Sequence, residues 1–168
     1  MEMPARRAFL GLGSNLGDRE RTLAEARARL CAAGFEIARE SALYWTEPVG
    51  GPPQEWFLNQ VLLGSTGLSP EQLLGVALAT ERALGRERRE RNGPRTLDVD
   101  LLLYEGECRR GPGLELPHPR LHERRFVLVP LAEIAPDERH PVLGLCAREL
   151  LERCPDRSAV ERFCAVPR

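Results

Sequence analysis

An α+β fold built on an antiparallel sheet is what this 168-residue sequence predicts. Three observations carry that expectation. Two segments place apolar residues three and four apart, the spacing of one buried helix face. Four short apolar runs stand before, between and after those segments, as strands would. Gly and Pro clusters mark the boundaries.

The first strand runs from Ala8 to Leu12. A helix is expected from Asp18 to Ala33, with Leu23, Ala26, Leu30 and Ala33 along one face and Gly34 placed to end it in the left-handed conformation. A strand from Phe35 to Tyr44 leads into Thr46-Glu47-Pro48-Val49-Gly50-Gly51-Pro52-Pro53, a loop by composition. Another strand covers Phe57 to Leu63. Ser69-Pro70-Glu71-Gln72 opens the second helix with a capping serine, a proline at the first helical position and a glutamine to complete a capping box. Leu74, Leu78 and Glu81 fall on one side of that helix, and Gly85 terminates it. Thr96 to Tyr104 makes the last core strand despite its two acids. The order strand, helix, strand, strand, helix, strand is the ferredoxin-like βαββαβ pattern. The remainder reads as C-terminal additions that place helices on both sides of the sheet. A hairpin is expected across Glu105-Gly106, an edge segment at Leu114–Leu116, a helix-like stretch from Arg124 to Ile134 interrupted by Pro130, a final helix at Arg148–Arg153 and a weakly patterned tail. One domain over residues 1–168 is expected.

Composition narrows the function. The chain is 42% apolar and 29% charged with a net charge of −1, which suits a globular protein and points away from a general nucleic-acid or membrane binder. The start lacks the pattern of a signal peptide, and the five cysteines include no C-x-x-C pair, so a cytoplasmic protein without a disulfide framework is expected. All 24 basic residues are arginine, which removes lysine chemistry such as the P-loop or a Schiff base. Gly11-Leu-Gly13-Ser14-Asn15-Leu-Gly17 follows a strand but matches neither the P-loop nor the dinucleotide fingerprint.

The richest stretch runs from Arg82 to Asp100, where six arginines precede two aspartates. Arginine forks bind phosphate oxygens. Asp98 and Asp100 lie two apart on a strand, so both side chains leave the same face with Cα atoms roughly 6.5 to 7 Å apart. Carboxylates that close are suited to divalent cations that bridge phosphates. Arg86, Arg88 and Arg91 read as a lid over a polyphosphate, and Gly93-Pro94-Arg95 sets a fixed turn beside the acids. Pro117-His118-Pro119 holds a histidine stiffly for a phosphate or metal contact, whereas His122 and His140 read as ordinary polar residues.

These motifs together resemble the 6-hydroxymethyl-7,8-dihydropterin pyrophosphokinase family over nearly the whole chain. The matching pieces are the Gly11–Gly17 segment, Tyr44–Gly50, Phe57-Leu58-Asn59, Glu81 with Gly85-Arg86, Gly93–Asp100, Pro117–Pro119 and Arg124–Leu131. The resemblance implies a ferredoxin-like fold and transfer of pyrophosphate from ATP to the pterin hydroxymethyl group, with AMP released; a monomer is the default expectation. It implies two Mg²⁺ ions on Asp98 and Asp100, and Arg86 and Arg95 assisting the chemical step. Glu81, Arg88, Arg91, Leu101, His118 and Arg124 would serve the nucleotide. Phe57 and Phe126 would stack on the pterin, Asn59 would read its polar edge, and Thr46, Pro48 and Val49 would complete the pocket. Three positions depart from the family pattern: Asn92 stands where an aromatic residue is frequent, Glu47 where proline is, and Leu78 where some members are polar. The alternatives are a two-metal nucleotidyl cyclase or polymerase palm, against which Phe57, Asn59 and Phe126 argue, and an RNA-binding module, against which the acidic central strand argues.

Overall fold

The computed structural model describes residues 4–85 and 96–164. In chain order its elements are β1 (Arg6–Ser14), α1 (Arg19–Ala32), β2 (Phe35–Glu40), β3 (Tyr44–Thr46), β4 (Phe57–Thr66), α2 (Pro70–Ala83), β5 (Asp98–Tyr104), a 3₁₀ turn (Leu121–Glu123), α3 (Arg125–Ile134), α4 (Ala147–Glu152) and β6 (Val160–Arg162). The six strands form one sheet in the order β5-β1-β4-β3-β6, with β2 also paired to β4. Each pairing is antiparallel. The expected α+β sandwich is therefore present.

Alternation along β1 divides the core in two. Ala8, Leu10 and Leu12 face α1 and α2 and pack with Leu23, Ala26, Leu30, Leu73 and Ala77. Phe9 faces the other way and joins Val61 and Leu102 against Leu128, Leu131 and Leu150 of α3 and α4. Each buried Leu or Phe contributes roughly 1.5–3 kcal/mol by leaving water, so both layers hold the sheet. The α2 start is built as its sequence predicts: Ser69 accepts from the Gln72 N–H, Gln72 returns a bond to the Ser69 N–H, and Pro70 occupies the first turn. Asp18 caps α1 in the same way, accepting from the Arg21 N–H.

Five expectations need correction. The strand expected from Phe35 to Tyr44 breaks into β2 and β3, because Ser41 interrupts the ladder with its own side chain: its hydroxyl accepts from the Val61 N–H while its N–H donates to the Val61 carbonyl. The buried face of α2 is Leu73, Ala77, Thr80 and Glu81, and Leu78 is exposed. Glu105-Gly106 is a tight turn with Gly106 at φ 74°, but the chain beyond it forms only an isolated bridge between Arg109 and Leu116. α3 runs without a break through Pro130, since Val127, Leu128, Leu131 and Ile134 bury enough surface to offset the missing N–H. The tail adds β6 to β3 through Tyr44–Arg162, Trp45–Glu161 and Thr46–Val160.

No helix among the described residues is long and apolar enough to cross a membrane. Gly64 on β4 lies beneath Phe35: a Cβ there would fall 2.4 Å from the phenyl ring and 2.7 Å from the Glu36 carbonyl oxygen. Backbone cannot yield as a side-chain tip can, so Gly64→Ala is expected to destabilise the fold by about 1–3 kcal/mol, read as a lower midpoint in urea or thermal unfolding.

Candidate active site

On the α3 side of the sheet, β1 carries two glycines in register with functional side chains on both neighbours. Gly13 pairs with Asp98 of β5 and Asn59 of β4; Gly11 pairs with Asp100 and Val61. Partners in register share a face. The central strand is thus bare where the two outer strands present carboxylates on one side and an amide on the other. A cleft of about 270 Å³ lies over this strip, and its wall includes both glycines, Asp98, Asp100, Asn59, Phe57, His118, Arg124 and Phe126.

The amide side is held closely. Asn59 is buried and donates from Nδ2 to the Thr46 hydroxyl at 2.5 Å. Thr46 sits opposite Phe57 in the β3–β4 ladder. A Cβ on Gly13 would lie 2.4 Å from Asn59 Oδ1, so the glycine is what makes room for the amide. Pro48 and Val49 line the same end, with Val49 well exposed. Phe57 and Phe126 both line the cleft and are partly exposed, and Phe126 also packs against the α3–α4 core. Glu47 has become a fastener: its N–H donates to the Ala159 carbonyl at 3.0 Å and its carboxylate accepts the Ala159 N–H at 3.0 Å. A proline at this position has no N–H to give.

The opposite side is charged. Asp98 and Asp100 are partly exposed at the head of β5. Arg124 immediately precedes α3, its guanidinium 5.6 Å from the centre of the Phe126 ring. Burial holds the Arg124 pKa below the ordinary arginine value; the carboxylates of Asp100 and Asp98 oppose that shift, and Arg120 adds to it. His118 is fixed at both ends, its N–H on the Leu102 carbonyl at 2.9 Å and its Nδ1 accepting the Arg120 N–H at 3.1 Å. Burial, with Arg124 and Arg120 nearby, lowers the His118 pKa to about 4. Near neutral pH the ring is uncharged with Nδ1 an acceptor, which leaves Nε2–H as its donor.

Ten of the sixteen residues named from sequence line this one cleft: Thr46, Pro48, Val49, Phe57, Asn59, Asp98, Asp100, His118, Arg124 and Phe126. Arg86, Arg88, Arg91 and Arg95, together with Asn92, lie outside the described residues. Glu81 and Leu101 do not line this cleft. Glu81 is buried on α2 and its Oε2 accepts the Val99 N–H at 3.4 Å, between the two aspartates but not in the cleft. Leu101 alternates away from Asp98 and Asp100 and packs in the α1–α2 core. Residues that sequence reasoning passed over are Gly11, Gly13, Gln54 and Arg120, all on the cleft wall. Glycines two apart inside a strand were the available signal, since a strand glycine marks a close approach. His140 uses its Nδ1 to accept the Val142 and Leu143 N–H groups, the work of a turn former.

A sandwich whose sheet face sets paired carboxylates and cationic donors against an amide and two aromatic rings defines a group-transfer enzyme for an anionic donor and a flat acceptor. Comparison with known proteins agrees. Residues 9–136 match the family described as 7,8-dihydro-6-hydroxymethylpterin-pyrophosphokinase. The chain is 48% identical over 157 residues to the 2-amino-4-hydroxy-6-hydroxymethyldihydropteridine pyrophosphokinase of Methylorubrum extorquens, covering 93% of this chain and 98% of that one. It is 46% identical over 158 residues to the enzyme of the same description from Bacillus subtilis, covering 93% and 95%. Among solved structures, Plasmodium falciparum HPPK-DHPS with pteroate superposes with a TM-score of 0.72 at 16% identity, over 91% of this chain and 43% of that one. That likeness concerns the fold alone, and this chain spans less than half of that longer protein. The chain belongs to the hydroxymethyldihydropterin pyrophosphokinase family. Its activity is the pyrophosphorylation of hydroxymethyldihydropterin in folate biosynthesis.

Two predictions follow from this geometry. Gly13→Ala pushes the Asn59 amide off Thr46, so the KM for the pterin is expected to rise about tenfold, the equivalent of one buried hydrogen bond. Its unfolding midpoint should move far less than that of Gly64→Ala, because the displaced atom is a side-chain tip. For His118, the folded pKa lies below the free value of 6.5. Above 6.5 the ring is neutral in both states; as pH falls from 6.5 toward about 4, the unfolded chain takes up the proton first and stability is lost. The stability advantage of the wild type over His118→Gln in urea titrations is therefore expected to shrink between pH 7 and pH 5.

Proposed function

We propose that the cleft transfers the β,γ-pyrophosphoryl unit of ATP to 6-hydroxymethyl-7,8-dihydropterin. The hydroxymethyl oxygen forms a bond to the β-phosphorus, the bond from that phosphorus to the α,β-bridging oxygen breaks, AMP departs and the hydroxyl proton is released. The observation that supports this best is the register across β1, which sets Asp98 and Asn59 on either side of the bare Gly13.

In this reading Phe57 and Phe126 enclose the flat pterin, stacking worth roughly 0.5–1.5 kcal/mol beyond the area they bury. Asn59 reads the pterin edge, since an amide both donates and accepts, and its bond to Thr46 fixes which way it points. Pro48 and Val49 close the outer side. His118, neutral and with Nε2–H free to donate, offers a hydrogen bond to a phosphate oxygen without adding charge, and Arg124 brings the charge. Arg86, Arg88, Arg91 and Arg95 take their proposed phosphate roles from the family resemblance alone. Glu81 acts at one remove, by holding the backbone of Val99 between the aspartates.

Asp98 and Asp100 are the proposed ligands for two Mg²⁺ ions. The donor set suits that metal: among the described residues no group of three or more His, Cys, Asp or Glu forms a metal cage, and Mg²⁺ characteristically takes one or two carboxylates and completes its shell with water and substrate phosphates. When bound, the ions would offset phosphate charge and polarise the β-phosphoryl group. The proposal takes the cytoplasm as the compartment and a monomer as the working form, because one chain supplies both sides of the cleft.

The test is incubation with ATP, Mg²⁺ and 6-hydroxymethyl-7,8-dihydropterin, with the nucleotide product identified. AMP formed only with the pterin present is expected; ADP overturns the reading. Asp98→Asn is expected to lower kcat by about 10²–10³-fold or more, the scale of losing a principal electrostatic group, while its circular dichroism stays that of the wild type.

A further inference from the structure

We infer that Arg19 is a positioning residue for the pterin pocket, acting from outside the cleft through the three chain segments that form it. The inference rests on the reading that Thr46, Phe57 and Asn59 hold the pterin.

Arg19 is the first residue of α1, and it does not line the cleft. Its guanidinium nonetheless reaches every segment that enters the amide side. Nη2 donates to the Asn15 carbonyl at 3.1 Å, Nη1 to the Gly17 carbonyl at 3.4 Å and Nε to the Trp56 carbonyl at 3.2 Å. The same group lies 5.4 Å from the centre of the Trp45 ring and 3.8 Å from the Glu55 carboxylate. Asn15 adds a second lacing, donating from Nδ2 to Gln54 Oε1 at 2.8 Å and to the Glu55 carbonyl at 3.0 Å.

The positions of these acceptors in the chain give the cluster its function. Trp45 precedes Thr46, Trp56 precedes Phe57, and Asn15 lies two residues beyond Gly13. Thr46, Phe57 and Gly13 are therefore each anchored one or two residues away by a single cation, and Asn59 is tied in through its bond to Thr46. Strand alternation puts the Trp45 ring on the face opposite Thr46, where it packs edge-on to Phe163 at 5.7 Å between ring centres. The clamp thus grips from behind the sheet. Three carbonyls and an aromatic face around one cation call for a planar group with several fixed donors, which arginine has and lysine lacks. Without it, the 54–56 segment keeps its lacing to Asn15 but loses its tie to α1 and Trp45, and the Thr46–Phe57 end of the β3–β4 ladder is left without its anchor on α1.

The experiment uses the full-length chain with Arg19→Ala, Arg19→Lys and, as a control on the pocket itself, Asn59→Ala. Calorimetry gives the Kd of a nonhydrolysable ATP analogue and then the Kd of the pterin in its presence; thermal unfolding is recorded for each. Arg19→Ala is expected to weaken pterin binding about tenfold or more, the loss attached to hydrogen bonds from a charged donor, while the ATP-analogue Kd stays within about twofold of wild type. Arg19→Lys should fall between the two. A structural role alone would move the unfolding midpoint and both ligands together, and that result overturns the proposal. So does wild-type pterin affinity in a folded Arg19→Ala protein. Should Arg19→Ala fail to fold, Arg19→Lys decides: unchanged pterin affinity in it overturns the proposal. If Asn59→Ala loses pterin affinity and the Arg19 variants keep it, only the clamp is wrong. If Asn59→Ala also keeps it, the pocket assignment falls and the clamp with it.

Discussion

The constraint on which this structure depends is steric: two positions of the central strand carry no side chain. β1 sits between β5 and β4, and at Gly11 and Gly13 it leaves a trough where an ordinary residue would fill the space. Asp98 and Asn59 face one another across it because both are in register with Gly13. A conventional strand would bury these groups against a neighbour or turn them to solvent. The bare strip gives them a common space without bending the sheet, so rigid ladder geometry does the positioning that loops do in many enzymes.

Electrostatics divide the trough lengthwise. At the β5 side, carboxylates and a desolvated arginine stand close together, and the histidine beside them is kept neutral by burial and by cationic neighbours. At the β4 side there is an amide, a hydroxyl and two aromatic rings. A polyanion and a flat heterocycle would therefore sort between the two sides by chemistry. The cation that binds the second half together, Arg19, sits behind the sheet, where it adds no charge to the cleft wall.

Much of this was legible in the sequence, and the failures have physical causes. The D-x-D spacing on a strand and the proline-fixed histidine specify side-chain direction through local geometry, whereas Phe57 and Asn59 were marked by the family resemblance; Asp98, Asp100, His118, Phe57 and Asn59 all line the cleft. The Ser69 cap was equally readable because it needs only four consecutive residues. The buried face of α2 was not. Leu73, Leu74, Val76, Ala77 and Leu78 offer two stripes of helical spacing, and tertiary packing against the sheet, not the local pattern, selects the one with Leu73 and Ala77. β6 was invisible for a similar reason: three mixed residues have no strand pattern, and Tyr44–Thr46 supplies the ladder that makes them one. Leu101, given a place at the nucleotide by the family resemblance, alternates to the face opposite Asp98 and Asp100.

The hydrogen bond from the Val99 N–H to Glu81 has a meaning beyond the head of β5. β5 ends the sheet, so its outer backbone groups have no strand to pair with. Glu81 occupies one of them, and the Leu102 carbonyl accepts the N–H of His118. At the other margin β6 is only three residues long and carries the exposed charges of Glu161 and Arg162. At these two borders, β5 and β6, the sheet is not an inviting template for a foreign strand. The protein can keep the strand that bears Asp98 and Asp100 at the rim, beside the cleft, without that rim recruiting another chain into cross-β stacking.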